Sequence, residues 1–265
     1  MNRIEIIDTG HVSRDDAAFP TLAQLGDGEM LCAYTEKGDG PNAMAGTVWS
    51  RSTDWGSSWI REGTILPRAE KPVMVNSLRL SVASDGTILA YGDRNYLEGK
   101  GDSRSFGNEK SEPVVCQSSD RGRTWSEPRV IESTLSKAYE ITNPIVDAGR
   151  DIWLAPAATL ADALKLGERV VAFRSTDHGK TWPEHITVLS DPEGKKGFFE
   201  QKVINLGNGR LLAAAWTVTL GDYQDLENHF AISNDYGQTW TVPAPTGIRG
   251  QTLGLTYLGE DRLLL

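Results

Sequence analysis

Short apolar runs punctuated by glycine turns fill the chain from end to end. Met30-Leu31-Cys32-Ala33-Tyr34, Pro113-Val114-Val115-Cys116, Val170-Val171-Ala172-Phe173 and Phe230-Ala231-Ile232 are of this kind. Runs of four to eight residues bounded by turn residues read as buried β-strands. A second recurring phrase places a Gly-containing turn before an apolar strand. It occurs as Gly26-Asp27-Gly28-Glu29-Met30-Leu31, Asp85-Gly86-Thr87-Ile88-Leu89, Gly149-Arg150-Asp151-Ile152-Trp153-Leu154, Gly207-Asn208-Gly209-Arg210-Leu211-Leu212 and Gly259-Glu260-Asp261-Arg262-Leu263-Leu264. A strand precedes each phrase, as in Gln201 to Leu206, and a fourth follows each copy of the eight-residue motif described next, as in Arg129-Val130-Ile131.

Between these phrases one eight-residue motif, Ser-x-Asp-x-Gly-x-Ser/Thr-Trp, appears four times, beginning at Ser52, Ser118, Ser175 and Ser233. The spacing, roughly sixty residues, marks a repeat architecture. Its aspartates are Asp54, Asp120, Asp177 and Asp235. An aspartate in a tight turn accepts backbone N–H bonds, glycine two residues on permits positive φ, and the final Trp is an apolar plate that wedges between sheets. The box therefore closes a hairpin and staples it to its neighbour. Four antiparallel strands per unit, repeated radially, make a propeller blade. A β-helix would show shorter periods, and a sandwich would not repeat one turn motif. The expected fold is an all-β propeller in a single domain over residues 1–265.

Five turn phrases against four boxes predict four blades plus two strands of a fifth. The final Leu263-Leu264-Leu265 falls within an apolar strand, so the expectation is an incomplete propeller, or one completed by another chain. Ile4-Glu5-Ile6-Ile7 resembles an outer strand that would close the last blade.

Composition changes the picture little. The chain has 265 residues, 39% apolar and 24% charged, with eight Trp and 27 Gly, which suits a soluble β-rich protein. A net charge of −9 argues against nucleic acid as partner, though a few converging arginines in a pocket can still hold an anionic substrate. Cys32 and Cys116 sit in apolar runs and read as buried thiols; they match no zinc motif. His11, His178, His185 and His229 form no metal spacing, so no metal or cofactor is expected. No signal-peptide core or transmembrane-length run occurs, and the chain reads as cytoplasmic with no membrane partner, although a processed secreted protein would look the same. Oligomerisation is left open.

At its boxes the chain resembles the sialidase (neuraminidase) superfamily, whose members carry Asp-box, or BNR, repeats on six-bladed propellers. On that resemblance this chain covers about four and a half blades, and the boxes lie on the rim opposite the active site, which makes the four box aspartates structural. The resemblance implies a sialidase-like glycoside hydrolase acting on a carbohydrate at the central pocket. It also leaves room for a lyase or a non-sialic glycosidase on the same fold, or for a non-catalytic propeller that binds glycan or protein. Sialidases use a tyrosine nucleophile with a glutamate, an aspartate acid/base and three carboxylate-binding arginines.

Carried over residue by residue, Glu200 in Phe199-Glu200-Gln201-Lys202-Val203 resembles the glutamate that opens the inner strand of the fourth blade; otherwise it is a solvated glutamate at a strand start. Asp39 in Gly38-Asp39-Gly40 follows blade one's second strand, where the family has its acid/base loop; otherwise it is turn chemistry. The arginine pattern is only partly met. Ala17-Ala18-Phe19-Pro20 and Leu212-Ala213-Ala214-Ala215-Trp216 lack the first two arginines. Arg79 and Arg249 sit at expected inner-strand positions, as channel residues or as ion-pair partners. The long Asp93–Lys110 connection, containing Arg94, reads as a lid or a surface insertion, and His229 is a further candidate for substrate contact.

Overall fold

The computed structural model describes residues 5, 9–37, 44–97, 110–160, 164–251 and 253–265. These form twenty strands in five sheets. Blade one is β1 (Ala17–Gly26), β2 (Glu29–Lys37), β3 (Met44–Ser52) and β4 (Ile60–Pro67). Blade two begins with the short β5 (Ala69–Glu70) and continues through β6 (Val73–Val82), β7 (Ile88–Tyr96), β8 (Ser111–Ser118) and β9 (Arg129–Val130). In blade three the inner strand is split into β10 (Tyr139–Glu140) and β11 (Val146–Gly149), followed by β12 (Ile152–Leu160), β13 (Leu166–Ser175) and β14 (Glu184–Ser190). Blade four is β15 (Lys196–Gly207), β16 (Arg210–Thr219), β17 (His229–Ser233) and β18 (Ala244–Pro245). A two-stranded sheet, β19 (Thr256–Gly259) with β20 (Arg262–Leu264), follows. Every pairing between these strands is antiparallel and joins neighbours in sequence, except that both halves of blade three's split inner strand pair with β12, so the predicted four blades and two further strands are the observed architecture.

The core lies between blades rather than within them. Leu31, Ala33 and Trp49 of blade one pack on Leu78, Leu80 and Val114 of blade two. Tyr91 and Val115 meet Trp153, Ala155 and Phe173 between blades two and three, and Leu154, Val170 and Leu189 meet Phe198, Val203 and Leu211 between three and four. Both faces of each inner sheet are buried, which is why the strands read as continuous apolar runs.

Each box is a hydrogen-bonded turn. In blade two, Ser118 Oγ donates to Asp120 Oδ1 at 2.8 Å and accepts from Gly122 N at 2.8 Å, while Asp120 accepts from Thr124 N (2.9 Å) and Thr124 Oγ1 (2.6 Å). The other three boxes repeat this set. The donated bonds from Ser58 and from Thr181 hold the Asp54 and Asp177 carboxyls down at about 2. Gly122, at φ +78°, lies so close to blade one that a Cβ there would fall 2.4 Å from Leu31 Cδ1. The box Trp125 meets Trp49 of blade one edge-on at 5.9 Å. The motif thus joins consecutive blades as well as closing a hairpin.

Candidate functional site

Strand direction separates two ends of the propeller. The first-to-second-strand turn and the box share one end: Trp55 N donates to Gly28 O at 3.0 Å, and Tyr236 N to Gly209 O at 2.9 Å. The starts of the inner strands lie at the other end, and there the chain departs from regular sheet.

Two bulges mark that departure. Phe199 pairs with Trp216 and Lys202 with Ala214, so Glu200 and Gln201 together oppose one residue. Blade one repeats the arrangement, with Phe19 and Pro20 between the pairs Ala18↔Thr35 and Thr21↔Ala33. Glu200 has φ +50° and Phe19 φ +57°. Left-handed backbone is unfavourable for such side chains, and a bulge re-aims the residue it releases from the ladder. Glu200 therefore lies within β15 rather than opening it: Lys196 to Phe199 already pair with Trp216 to Thr219, which extends the strand upstream of the expected start.

Blade three brings a second carboxyl to Glu200. β10 ends at Glu140 because Asn143-Pro144 leaves the ladder; Pro144 has no N–H, and Asn143 bonds instead to Val203, accepting from its N at 3.1 Å. The two inner strands are then tied side by side. Glu200 N donates to Glu140 Oε2 at 2.9 Å, Thr142 Oγ1 to Gln201 O at 3.1 Å, and Lys202 Nζ to Thr142 O at 2.8 Å. Glu140 keeps partial access to solvent, yet the surrounding strands strip away much of its hydration. That desolvation, reinforced by the negative charges of Glu200 and Asp93 and opposed by the Glu200 N–H and by Lys202, pushes its carboxyl up to about 7.

The cations come from equivalent rungs of blades two and four. Arg79 pairs with Tyr91, and Lys202 with Ala214; each partner stands two positions after the leucine of its turn phrase, Leu89 or Leu212. Burial and the positive charge of Arg79 lower the Lys202 ammonium, and Glu200 and Glu140 oppose this. Arg79 is only 7% exposed. Its Nη1 donates to Ser77 Oγ at 2.6 Å, Ser77 Oγ accepts from Thr35 Oγ1 at 2.9 Å, and the guanidinium lies 5.3 Å from the Phe19 ring centroid. Gly92 holds β6 and β7 close here, since a Cβ on it would fall 1.9 Å from Ser77 O. Asp93, buried in β7 opposite Ser77, accepts from Asn95 Nδ2. The inner strands of blades two, three and four, with Asp93 of β7 beside them, thus gather Arg79, Asp93, Glu140, Glu200 and Lys202. A site with a tunable carboxyl, further carboxylates and two cations can bind an anion and move a proton.

Other expected residues fall elsewhere. Asp39 lies outside the described residues. Arg249 is exposed in irregular chain rather than on an inner strand, because β19 pairs with β20 only from Thr256 onwards. Arg94 and Tyr96 belong to β7, not to a loop, since the β7–β8 hairpin extends through Asn95↔Ser111. Arg94 Nε donates to Glu112 at 2.8 Å as half of an ion pair. His229 is buried in the third strand of blade four, its Nδ1 2.7 Å from Glu227 O and its ring edge-on to Phe198. The four box aspartates sit in their turns at the opposite end. Glu140 and Lys202 were not singled out from the sequence. Lys202 could have been found by aligning the turn phrases, whereas Glu140 emerges only once the break at Asn143-Pro144 is known.

Solved structures share this architecture. A protein of unknown function from Dyadobacter fermentans superposes with a TM-score of 0.72 at 21% identity, covering 94% of this chain and 74% of that one. The NanB sialidase from Streptococcus pneumoniae superposes with a TM-score of 0.63 at 13% identity, covering 95% of this chain and 55% of that one. The fold is a sialidase-type β-propeller. The intramolecular trans-sialidase from Ruminococcus gnavus adds a third case, with a TM-score of 0.63 at 14% identity over 88% of this chain and 71% of that one. The chain spans about half the length of NanB and of a leech intramolecular trans-sialidase. No family model matches the sequence, and no curated protein matches it.

Proposed function

We propose that this sialidase-type propeller is a glycoside hydrolase acting on an acidic sugar of a glycan, bound against the inner strands of blades two, three and four. The observation that carries the proposal is the convergence of Glu140 and Glu200 with Arg79 and Lys202 on the inner strands. The chain carries a net charge of −9, and Arg79 and Lys202 are the groups of this cluster that suit a sugar carboxylate. Glu200 is assigned to the reacting end of the sugar, on its bulge; the sialidase resemblance gives Asp39 the acid/base role. Wild-type protein is expected to release the aglycone from aryl glycosides of acidic sugars. Arg79→Met should raise KM for acidic sugars more than for neutral ones, and equal effects on both would remove Arg79 from carboxylate binding.

The missing arginines at Ala18 and in Ala213 to Trp216 favour a second reading, a lyase that takes a proton next to a uronic carboxylate. A lyase leaves an unsaturated, ultraviolet-absorbing end, whereas hydrolysis leaves none. Product absorbance on uronic-acid polymers separates the two.

A further inference from the structure

We infer that Glu140 is the proton-carrying group of this site, giving its proton to the leaving oxygen of the glycoside, and that Glu200 positions it through its backbone N–H. The inference rests on the glycoside reading above and names a different acid from Asp39.

The geometry around Glu140 supports it. The chain leading into it is tied down, with Tyr139 N donating to Ser111 Oγ at 2.7 Å and Leu160 N to Ala138 O at 3.0 Å, and Gln201 Nε2 donates to Glu140 O at 3.4 Å. These bonds hold its backbone at a strand end beside the bulge, and the Glu200 N–H holds the carboxyl. Its Oε2 accepts a neutral N–H from Glu200, which leaves Oε1 to hold a proton. Glu29, Glu62 and Glu112 differ, for each is bonded to arginine, and the arginine bonds hold Glu29 and Glu62 below the ordinary carboxylate range despite partial desolvation. The charged groups facing Glu140 are Glu200 and Lys202 from β15 and Asp93 from β7, with Arg79 of β6 acting on Lys202. Two carboxylates against one close ammonium favour a neutral Glu140. Its carboxyl, raised to about 7, can both donate and regain a proton near neutral pH.

The step balances. The proton on Glu140 moves to the glycosidic oxygen as the bond from that oxygen to the anomeric carbon breaks, and the bonding pair leaves with the oxygen. Water then adds its oxygen to the anomeric carbon, and its released proton returns to the Glu140 carboxylate.

The test compares wild type, Glu140→Gln and Asp39→Asn on aryl glycosides of acidic sugars whose leaving phenols span a range of acidity. Loss of a general acid slows poor leaving groups by about 100-fold or more and good ones only a few-fold. Glu140→Gln should show that graded loss and lose the pH limb near neutrality, and Asp39→Asn should keep the limb. A uniform loss in Glu140→Gln, or the graded pattern in Asp39→Asn instead, overturns the inference. Infrared titration supplies an independent arm: a protonated carboxyl band that disappears as pH rises through neutrality should be present in wild type and absent in Glu140→Gln. If wild type cleaves none of the glycosides, the glycoside reading fails, and the band alone decides whether Glu140 holds the site's proton.

Discussion

The backbone N–H of Glu200 donates to Oε2 of Glu140 at 2.9 Å, across the boundary between the third and fourth blades. One contact therefore links the strained bulge of one inner strand to the carboxyl of the next.

The first consequence is a pH dependence of stability. Glu140 takes up its proton near 7 in the folded chain and near its ordinary value of 4.5 when unfolded. Between those values the folded chain binds more protons, so stability falls as pH rises from 4.5 to 7, and the penalty is complete above 7. Glu140→Gln removes the charge. Relative to wild type it should gain about 3 kcal/mol at pH 8 over its difference at pH 4.5. Denaturant melts at the two pH values measure this, and an unchanged difference contradicts the assignment.

A second consequence follows from the Glu200 backbone. At φ +50° a glycine would sit without steric penalty. Glu200→Gly should abolish turnover while leaving stability unchanged or raised by about 1 kcal/mol. Thermal melts beside activity assays test the trade, and a large loss of stability would show that the side chain is structural.

The first two blades depend on a buried amide. Asn76 Oδ1 accepts from Thr47 N (3.0 Å) and Thr47 Oγ1 (2.7 Å), and its Nδ2 donates to Leu66 O at 3.1 Å. Asn76→Ala leaves these groups buried and unpaired, at a cost of about 3 kcal/mol. Urea unfolding should show that loss, and Asn76→Asp should also destabilise, because it sets a buried carboxylate oxygen against the Leu66 and Pro67 carbonyls.

What was legible in the sequence was local. The box is a turn whose hydrogen bonds close within eight residues, so Asp54, Asp120, Asp177 and Asp235 marked the blade ends directly. Arg79 lies on an inner strand, as its sequence position implies, because β6 pairs with β7 without a bulge. Glu140 was missed because its importance arises from which strand lies beside β10, a contact about sixty residues away in sequence. Arg249 was misplaced for a related reason: strand-like sequence forms an inner strand only where a second strand pairs with it. Arg94 reads as a loop cation until Glu112 is seen opposite it on β8.

The central claim is that chemistry belongs to the inner strands and stability to the boxes. It is tested most directly by measuring kcat on an aryl glycoside of an acidic sugar, together with Tm, for wild type, Glu200→Gln and Asp177→Asn. The account predicts that Glu200→Gln lowers kcat by about 100-fold or more with Tm unchanged, and that Asp177→Asn lowers Tm with kcat within a few-fold of wild type. A Glu200→Gln protein that turns over at the wild-type rate, or an Asp177→Asn protein that melts normally and loses turnover, would contradict it.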